Sequence, residues 1–240
     1  SLFTPAFFEL RLDGSDPAFP EPAEYVGPGG ERIKIRGVVD RVDLFRRGND
    51  VFIRVVDYKT GDKEFSPDDI KDGLGLQLLL YLFALCRSRS EEFRRALGCP
   101  PGGRIYPAGA LYLSAKLPLL TVEDDIGEEE IREMASARIS RSGLLYSDDE
   151  ILAAMNAGFD PKFLGGAKKD SKGITKGNNL LDIDGFNQLY EIIGETISRI
   201  AAEMRSGIAS ASPKLSPGKS PCDWCRYSAV CRSAKPSGRK

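Results

Sequence analysis

Asp40, Asp57 and Lys59 have types and spacing that suit phosphodiester hydrolysis; they lie in Gly37-Val-Val-Asp40 and Val56-Asp-Tyr-Lys59. Residues i and i+2 of a strand point to one face, so Asp57 and Lys59 would stand side by side. The carboxylate would hold Mg²⁺ or Mn²⁺, which prefer oxygen ligands. The ammonium would offset negative charge developing on the scissile phosphate. Asp40 would be the second metal carboxylate and the Tyr58 backbone carbonyl a further ligand. Asp-x-Lys alone is more often a surface ion pair. Gly-x-x-Asp followed 17 residues later by Asp-x-Lys is a much rarer combination. A third element is Gln77-Leu-Leu-Leu-Tyr81, whose polar ends share a helix face at i and i+4. They could contact phosphates or the attacking water, or simply satisfy each other at the helix edge.

The 240 residues contain no histidine, which excludes Ser-His-Asp and Cys-His catalysis and every His-ligated zinc site. Catalysis must rest on carboxylate, lysine, tyrosine or cysteine. Net charge is −1, and 41% hydrophobic with 29% charged residues is ordinary for a globular chain. Charge is unevenly placed, because Pro213–Lys240 carries seven basic residues and one acid, Asp223. Such a segment either follows a phosphate backbone or only solubilises. The longest apolar stretch, Leu74–Cys86, has 13 residues and is interrupted by Gln77. A membrane span needs about 20, so this reads as a buried helix. Five cysteines without a secretory signal point to a reducing, cytoplasmic setting without disulfides. The start at Ser1 without Met reads as a cut from a longer protein.

The elements that must position these residues follow from the pattern. Phe3–Leu12 alternates as a strand, and residues 14–31, rich in Gly, Pro and Glu, read as a loop. Ile33–Phe45 is dense in β-branched residues and reads as one strand, with Val51–Tyr58 as the next. The turn between them, Arg46-Arg-Gly-Asn-Asp50, makes an antiparallel hairpin that would bring Asp40 and Asp57 to one end of the sheet. The register is not fixed by sequence. Ser66-Pro-Asp-Asp signals a helix start, with Ser66 as N-cap, running to about Arg89 and loosened by Gly73 and Gly75. Ile105–Ser114 reads as a third strand, Gly127–Arg141 as an amphipathic helix and Ser147–Ala157 as a short one. Gly165–Asn179 is the best candidate for a mobile loop. Ile183–Met204 is a long helix ended by Gly207.

Gly-x-x-Asp, Asp-Tyr-Lys-Thr-Gly and Gln-x-x-x-Tyr together resemble the RecB-type branch of the PD-(D/E)xK nucleases. Ser142–Met155, the Lys-rich loop, the long helix and Cys222-Asp-Trp-Cys225-Arg-Tyr-Ser-Ala-Val-Cys231 extend the resemblance to the C-terminal nuclease domain of the AddB family of helicase–nucleases. The likeness covers nearly all of the chain. It implies an α/β fold, a restriction-endonuclease-like mixed central sheet flanked by helices. It implies residues 1–212 as an N-terminally truncated nuclease domain and 213–240 as a basic, cysteine-containing tail. It further implies Mg²⁺- or Mn²⁺-dependent cutting of unwound single-stranded DNA in double-strand-break repair, on the 5′-terminated strand, beside an AddA-type partner and away from membranes. Glu9 resembles a recurrent acid of the family's first strand that supports the metal; a solvent-facing role is the alternative. An upstream helix normally adds a further metal-site residue, so this site is expected to be one ligand short and its metal weakly held.

Cys222-x-x-Cys225-x5-Cys231 is a metal-binding spacing, but iron–sulfur and structural zinc sites usually need four ligands. The resemblance implies a 4Fe-4S cluster whose first cysteine lies far upstream, so the intact protein is expected to hold one and this chain to lack it. Cys86 and Cys99 read as core or loop residues. Trp224 and Tyr227 are expected to pack around the cysteines, with stacking on bases as the alternative. Other readings are a stand-alone nuclease of the Cas4 type and a non-catalytic DNA-binding scaffold.

Overall fold

Asp50–Lys59 (β5) is apolar at almost every position up to Val56, the pattern of a strand covered on both faces, and seven of its residues are buried. It lies inside a six-stranded mixed sheet. The computed structural model describes residues 1–15, 20–27, 30–60, 66–115, 127–131, 134, 141–208, 210–213 and 220–231. These fall into two compact units, Ser1–Ser198 and Arg199–Lys240.

The other sheet strands are β1 (Thr4–Leu12), β4 (Gly37–Arg47), β6 (Ile105–Ser114), β7 (Arg141–Tyr146) and β10 (Leu180–Leu181), in the order β1-β4-β5-β6-β7-β10. β4 and β5 form the expected antiparallel hairpin, from Arg47↔Asp50 to Arg41↔Val56. β5 and β6 are parallel. Parallel neighbours need a crossover, and α1 (Pro67–Ile70), α2 (Gln77–Cys86) and α3 (Glu91–Ala96) lie in it. α2 packs with Phe186, Leu189 and Ile193 of α5 (Ile183–Arg205) into the main core on one sheet face. A second core on the other face contains Phe3, Phe52 and Leu111 together with Ile151, Leu152 and Met155 of α4 (Asp149–Met155).

Several elements differ from the sequence reading. The 14–31 segment is not all loop: β2 (Ala23–Val26) pairs with β3 (Arg32–Ile35), and Tyr25 is buried against the main core. The strand expected over Ile33–Phe45 is therefore two, β3 and β4, each in a different sheet. The helix from Ser66 to Arg89 breaks after Ile70 and ends at Cys86, because Gly73 and Gly75 take φ of 79° and 68°. Ser66 is at the N-cap but its side chain makes no capping bond. Arg141 belongs to a strand, where it pairs with Leu113, and not to the helix expected before it. Residues 128–131 and 134 are helical, and the rest of 127–140 lies outside the described residues, apart from Gly127. Within Gly165–Asn179, β8 (Lys168–Lys169) pairs with β9 (Thr175–Lys176), and Asp170 ties their turn. α5 ends as expected: Gly207 takes φ 70° and the Ile208 N–H reaches back to the Glu203 carbonyl. No helix among the described residues is long and apolar enough to cross a membrane.

α4 offers a measurable test of this frame. The Asp148 carboxylate accepts from the N–H groups of Glu150 and Ile151 and meets Arg47 Nη1 at 2.8 Å. Burial disfavours its charge, but the Arg47 and backbone hydrogen bonds outweigh that and hold its pKa below the ordinary 3.8. Asp148→Ala should cost about 1 kcal/mol, the usual loss of an N-cap. That lowers Tm by about 2–4 °C in a chain of this size. A carboxyl with a depressed folded-state pKa stabilises at pH above its unfolded value and stops doing so as pH falls through the folded one. The difference between the two proteins should therefore be full well above the ordinary 3.8 and shrink in acid melts; a constant difference would refute the assignment.

Candidate active site

The β4–β5 register places the two aspartates together. Arg41 pairs with Val56, and the next step of the same register sets Asp40 opposite Asp57. The ladder ends there, and Asp40 Oδ2 takes the Tyr58 N–H at 2.9 Å instead. Asp57 is 4% exposed. Its Oδ2 lies 2.5 Å from Lys59 Nζ and, among the described residues, accepts no well-aligned hydrogen bond. The ammonium also stands 5.8 Å from the Tyr112 ring centroid, on the residue that pairs with Asp57 from β6. Partial burial pulls the Lys59 pKa down, but the close contact and charge of Asp57 overcome this and hold it above 10.5. Lys59 is thus a fixed positive charge at neutral pH, not a base.

A slip in strand alternation shapes this end of the sheet. Val42 and Leu44 face the main core on β4, yet so does Val39; on β1, Phe7 packs there but so do Leu10 and Leu12. Both strands therefore turn by one residue between Phe7/Val42 and Leu10/Val39 while staying in register. Glu9 stands at that slip with φ of 51°, a left-handed conformation uncommon outside glycine. The register sets Glu9 across from Asp40, so Glu9, Asp40 and Asp57 occupy one row over three neighbouring strands. Glu9 is exposed.

The first and third motifs meet through Gly37. A Cβ there would overlap the Tyr81 hydroxyl, so the glycine admits the tyrosine against the start of β4. Tyr81 is 7% exposed and its hydroxyl accepts from Gln77 Nε2 at 3.1 Å. Gln77 and Tyr81 thus satisfy each other.

A divalent cation fits the donors on β4 and β5: two carboxylates, one with a buried oxygen lacking an aligned hydrogen bond, form an all-oxygen set. Glu9 does not complete a three-acid group, since no three His, Cys, Asp or Glu side chains converge to hold a metal among the described residues. The same holds for Cys222, Cys225 and Cys231, which follow one another through turns starting at Pro221–Asp223. As arranged, these thiols do not fit a cluster. Trp224 and Tyr227 do not pack around them, being 76% and 72% exposed. Lys214, Lys219 and the basic residues of 232–240 lie outside the described residues. Burial pushes the Cys86 thiol up and keeps it protonated, as suits a core residue.

Sequence reasoning passed over an ionic cluster on the opposite face of these strands. Asp43 is fully buried and accepts from Arg54 Nη2 at 2.5 Å and from Arg41 Nε at 2.6 Å. Arg54 is 2% exposed and stacks its guanidinium 4.7 Å from the Phe3 ring centroid. Arg41 Nη1 donates to the Tyr58 hydroxyl at 3.2 Å. Burial, then the charge of Arg54, pulls the Arg141 pKa down beside them. The available signal was an arginine inside the apolar run Val51–Val56 and an aspartate inside Val42–Phe45.

A family model described as the PD-(D/E)XK nuclease superfamily matches residues 1–232. Proteins named as one of the subunits of an ATP-dependent helicase/deoxyribonuclease are similar. That of Clostridioides difficile is 31% identical over 96% of this chain and that of Clostridium tetani 30% identical over 96%. The chain spans only 20% of the first relative's length and 19% of the second's.

Proposed function

Because the chain belongs to the PD-(D/E)XK nuclease superfamily, we propose that it is the metal-dependent nuclease module of a helicase–nuclease, hydrolysing single-stranded DNA. The carrying observation is the apposition of Asp40 and Asp57, with Lys59 Nζ 2.5 Å from the buried Asp57 oxygen. Asp40 and Asp57 would hold Mg²⁺ or Mn²⁺, with the Tyr58 carbonyl beside them, and Glu9 would support the site from β1. The bound cation supplies Lewis acidity to the phosphate. Asp40 is oriented by the Tyr58 N–H. Lys59 sets a permanent positive charge where the pentacovalent phosphorus gains negative charge. Gln77 and Tyr81 shape the wall beside Gly37. The relatives' names, each one subunit of a helicase/deoxyribonuclease, support a partner subunit of the AddA type; the proposed role is in double-strand-break repair. An iron–sulfur cluster on Cys222, Cys225 and Cys231 would need the three thiols rearranged from the positions they take here as well as a fourth ligand.

The test compares the chain with Asp57→Asn on end-labelled single-stranded DNA in Mg²⁺ or Mn²⁺, alongside Mn²⁺ binding read by loss of the free-ion EPR signal. Cleavage and Mn²⁺ binding in the parent and neither in the variant are expected. Equal cleavage by both would overturn the site; DNA binding without cleavage or Mn²⁺ binding in either would favour a scaffold.

A further inference from the structure

The cluster behind the active-site strands is chemically unbalanced. Two guanidinium groups, Arg41 and Arg54, bond one carboxylate, Asp43, and a third, Arg141, feels the charges of all three. Arg54 Nη1 is buried and, among the described residues, has no hydrogen-bond partner; Arg54 is only 2% exposed. A buried donor without an acceptor costs about 1–3 kcal/mol, so an orphan in a native fold calls for a ligand or a role. Asp43 already accepts from Arg54 and Arg41. The net positive charge therefore has no counter-charge from this carboxylate alone.

Exposed aromatic rings adjoin the same charges. Phe8 pairs with Arg41 across β1 and β4, is 62% exposed, and has the Arg41 guanidinium 5.9 Å from its ring centroid. Tyr58 is 38% exposed and its hydroxyl accepts from Arg41. Tyr58 alternates with Asp57 and Lys59, so its ring leaves β5 on the face opposite the carboxylates. Arg141 lies on the same cross-strand row, paired with Leu113, which pairs with Tyr58. Its guanidinium is 5.4 Å from the Phe163 ring centroid. Rings interleaved with arginines at the exposed end of a sheet face are the parts from which sequence-tolerant single-strand sites are made: π-faces for unstacked bases and fixed cations for phosphates.

We propose that Phe8, Arg41, Tyr58 and Arg141, backed by Arg54, form a track for single-stranded DNA on the sheet face opposite Asp40 and Asp57. Bases stack on Phe8 and Tyr58, and phosphates lie against Arg41 and Arg141. The strand then passes the end of β5 to reach the carboxylates one residue away. The track rests on the nuclease reading for its ligand, but it binds DNA without metal.

Fluorescence anisotropy of a labelled oligothymidylate, in EDTA across a salt series, tests it with the 240-residue chain. Phe8→Ala removes an exposed edge-strand ring and should weaken binding about tenfold with an unchanged salt slope. Arg141→Gln should weaken it to a similar extent and lower the log–log salt slope by about 0.7, the contribution of one phosphate in a single strand. Duplex DNA, whose bases are stacked away, should bind more weakly than the single strand. Parent-like affinity and slope in both Phe8→Ala and Arg141→Gln, with folding verified by melting, would overturn the track. Because the readout is binding without metal, absence of cleavage leaves this result standing. Conversely, normal cleavage lost only in Asp57→Asn would leave the catalytic reading intact if the track fails.

Discussion

Lys59→Met should lower kcat on single-stranded DNA about 10²- to 10³-fold, the usual effect of removing one fixed group that stabilises transition-state charge. The reason lies in the protonation state. Asp57 holds the Lys59 pKa above its ordinary 10.5 against the pull of partial burial. The charge is therefore present throughout the neutral range and needs no reorganisation as the phosphorus becomes pentacovalent. Methionine keeps the length and the apolar stem, and Lys59 is 29% exposed at its side chain, so the fold should tolerate it. KM should move far less than kcat, since a charge that meets only the transition state contributes little to ground-state binding. Lys59→Arg should recover part of the rate. A flat profile across the neutral pH range is expected for the lysine's contribution, because a cation with a raised pKa loses its proton only above that range. A parent-like kcat in Lys59→Met would remove the lysine from the chemistry.

The largest stability effect should come from Asp43→Ala. Asp43 is wholly buried and is the acceptor for Arg54, which has no route to solvent at 2% exposure. Removing one partner of a buried pair strands the other charge and costs about 3–5 kcal/mol. At about 2–4 °C per kcal/mol, Tm should fall by on the order of 10 °C. Replacing both partners with apolar residues of like volume, Asp43→Leu with Arg54→Met, removes the stranded charge and should restore most of the loss. Urea denaturation of the parent, the two single variants and the double variant closes the cycle. A cost below about 1 kcal/mol for Asp43→Ala would show that Arg54 is not held as described.

How much was readable in advance depended on whether a feature is local. β6 was legible to the residue because Ile105–Ser114 carries its own apolar pattern. The β4–β5 hairpin was legible because Gly48-Asn49 marks a turn between two β-branched runs. β2 was not, because a four-residue strand rich in Gly and Pro at its borders is stabilised by what it meets: β3, and the main core under Tyr25. The break between α1 and α2 was half legible. Gly73 and Gly75 announced a weak point, but propensity alone does not say that both adopt positive φ. Arg141 was assigned to the helix before it because strand β7 is held by long-range pairing with β6 and β10, which leaves no local mark.

The sequence by itself determined the superfamily and the residues on which the proposed chemistry rests: an acid pair and a lysine at strand spacing, no histidine, and a resemblance that the superfamily match supports. Those are properties of residue type and short spacing, and each survives any arrangement of the rest. Only the tertiary structure decided that Asp40 faces Asp57, since a one-residue change of register would send the whole strand's side chains to the other face. It also decided that Gly37 admits Tyr81 and that Glu9 stands in a left-handed conformation beside Asp40. Asp43 and Arg54 became partners only when β4 and β5 paired, because a charge in an apolar strand is a liability until another strand delivers its counter-charge.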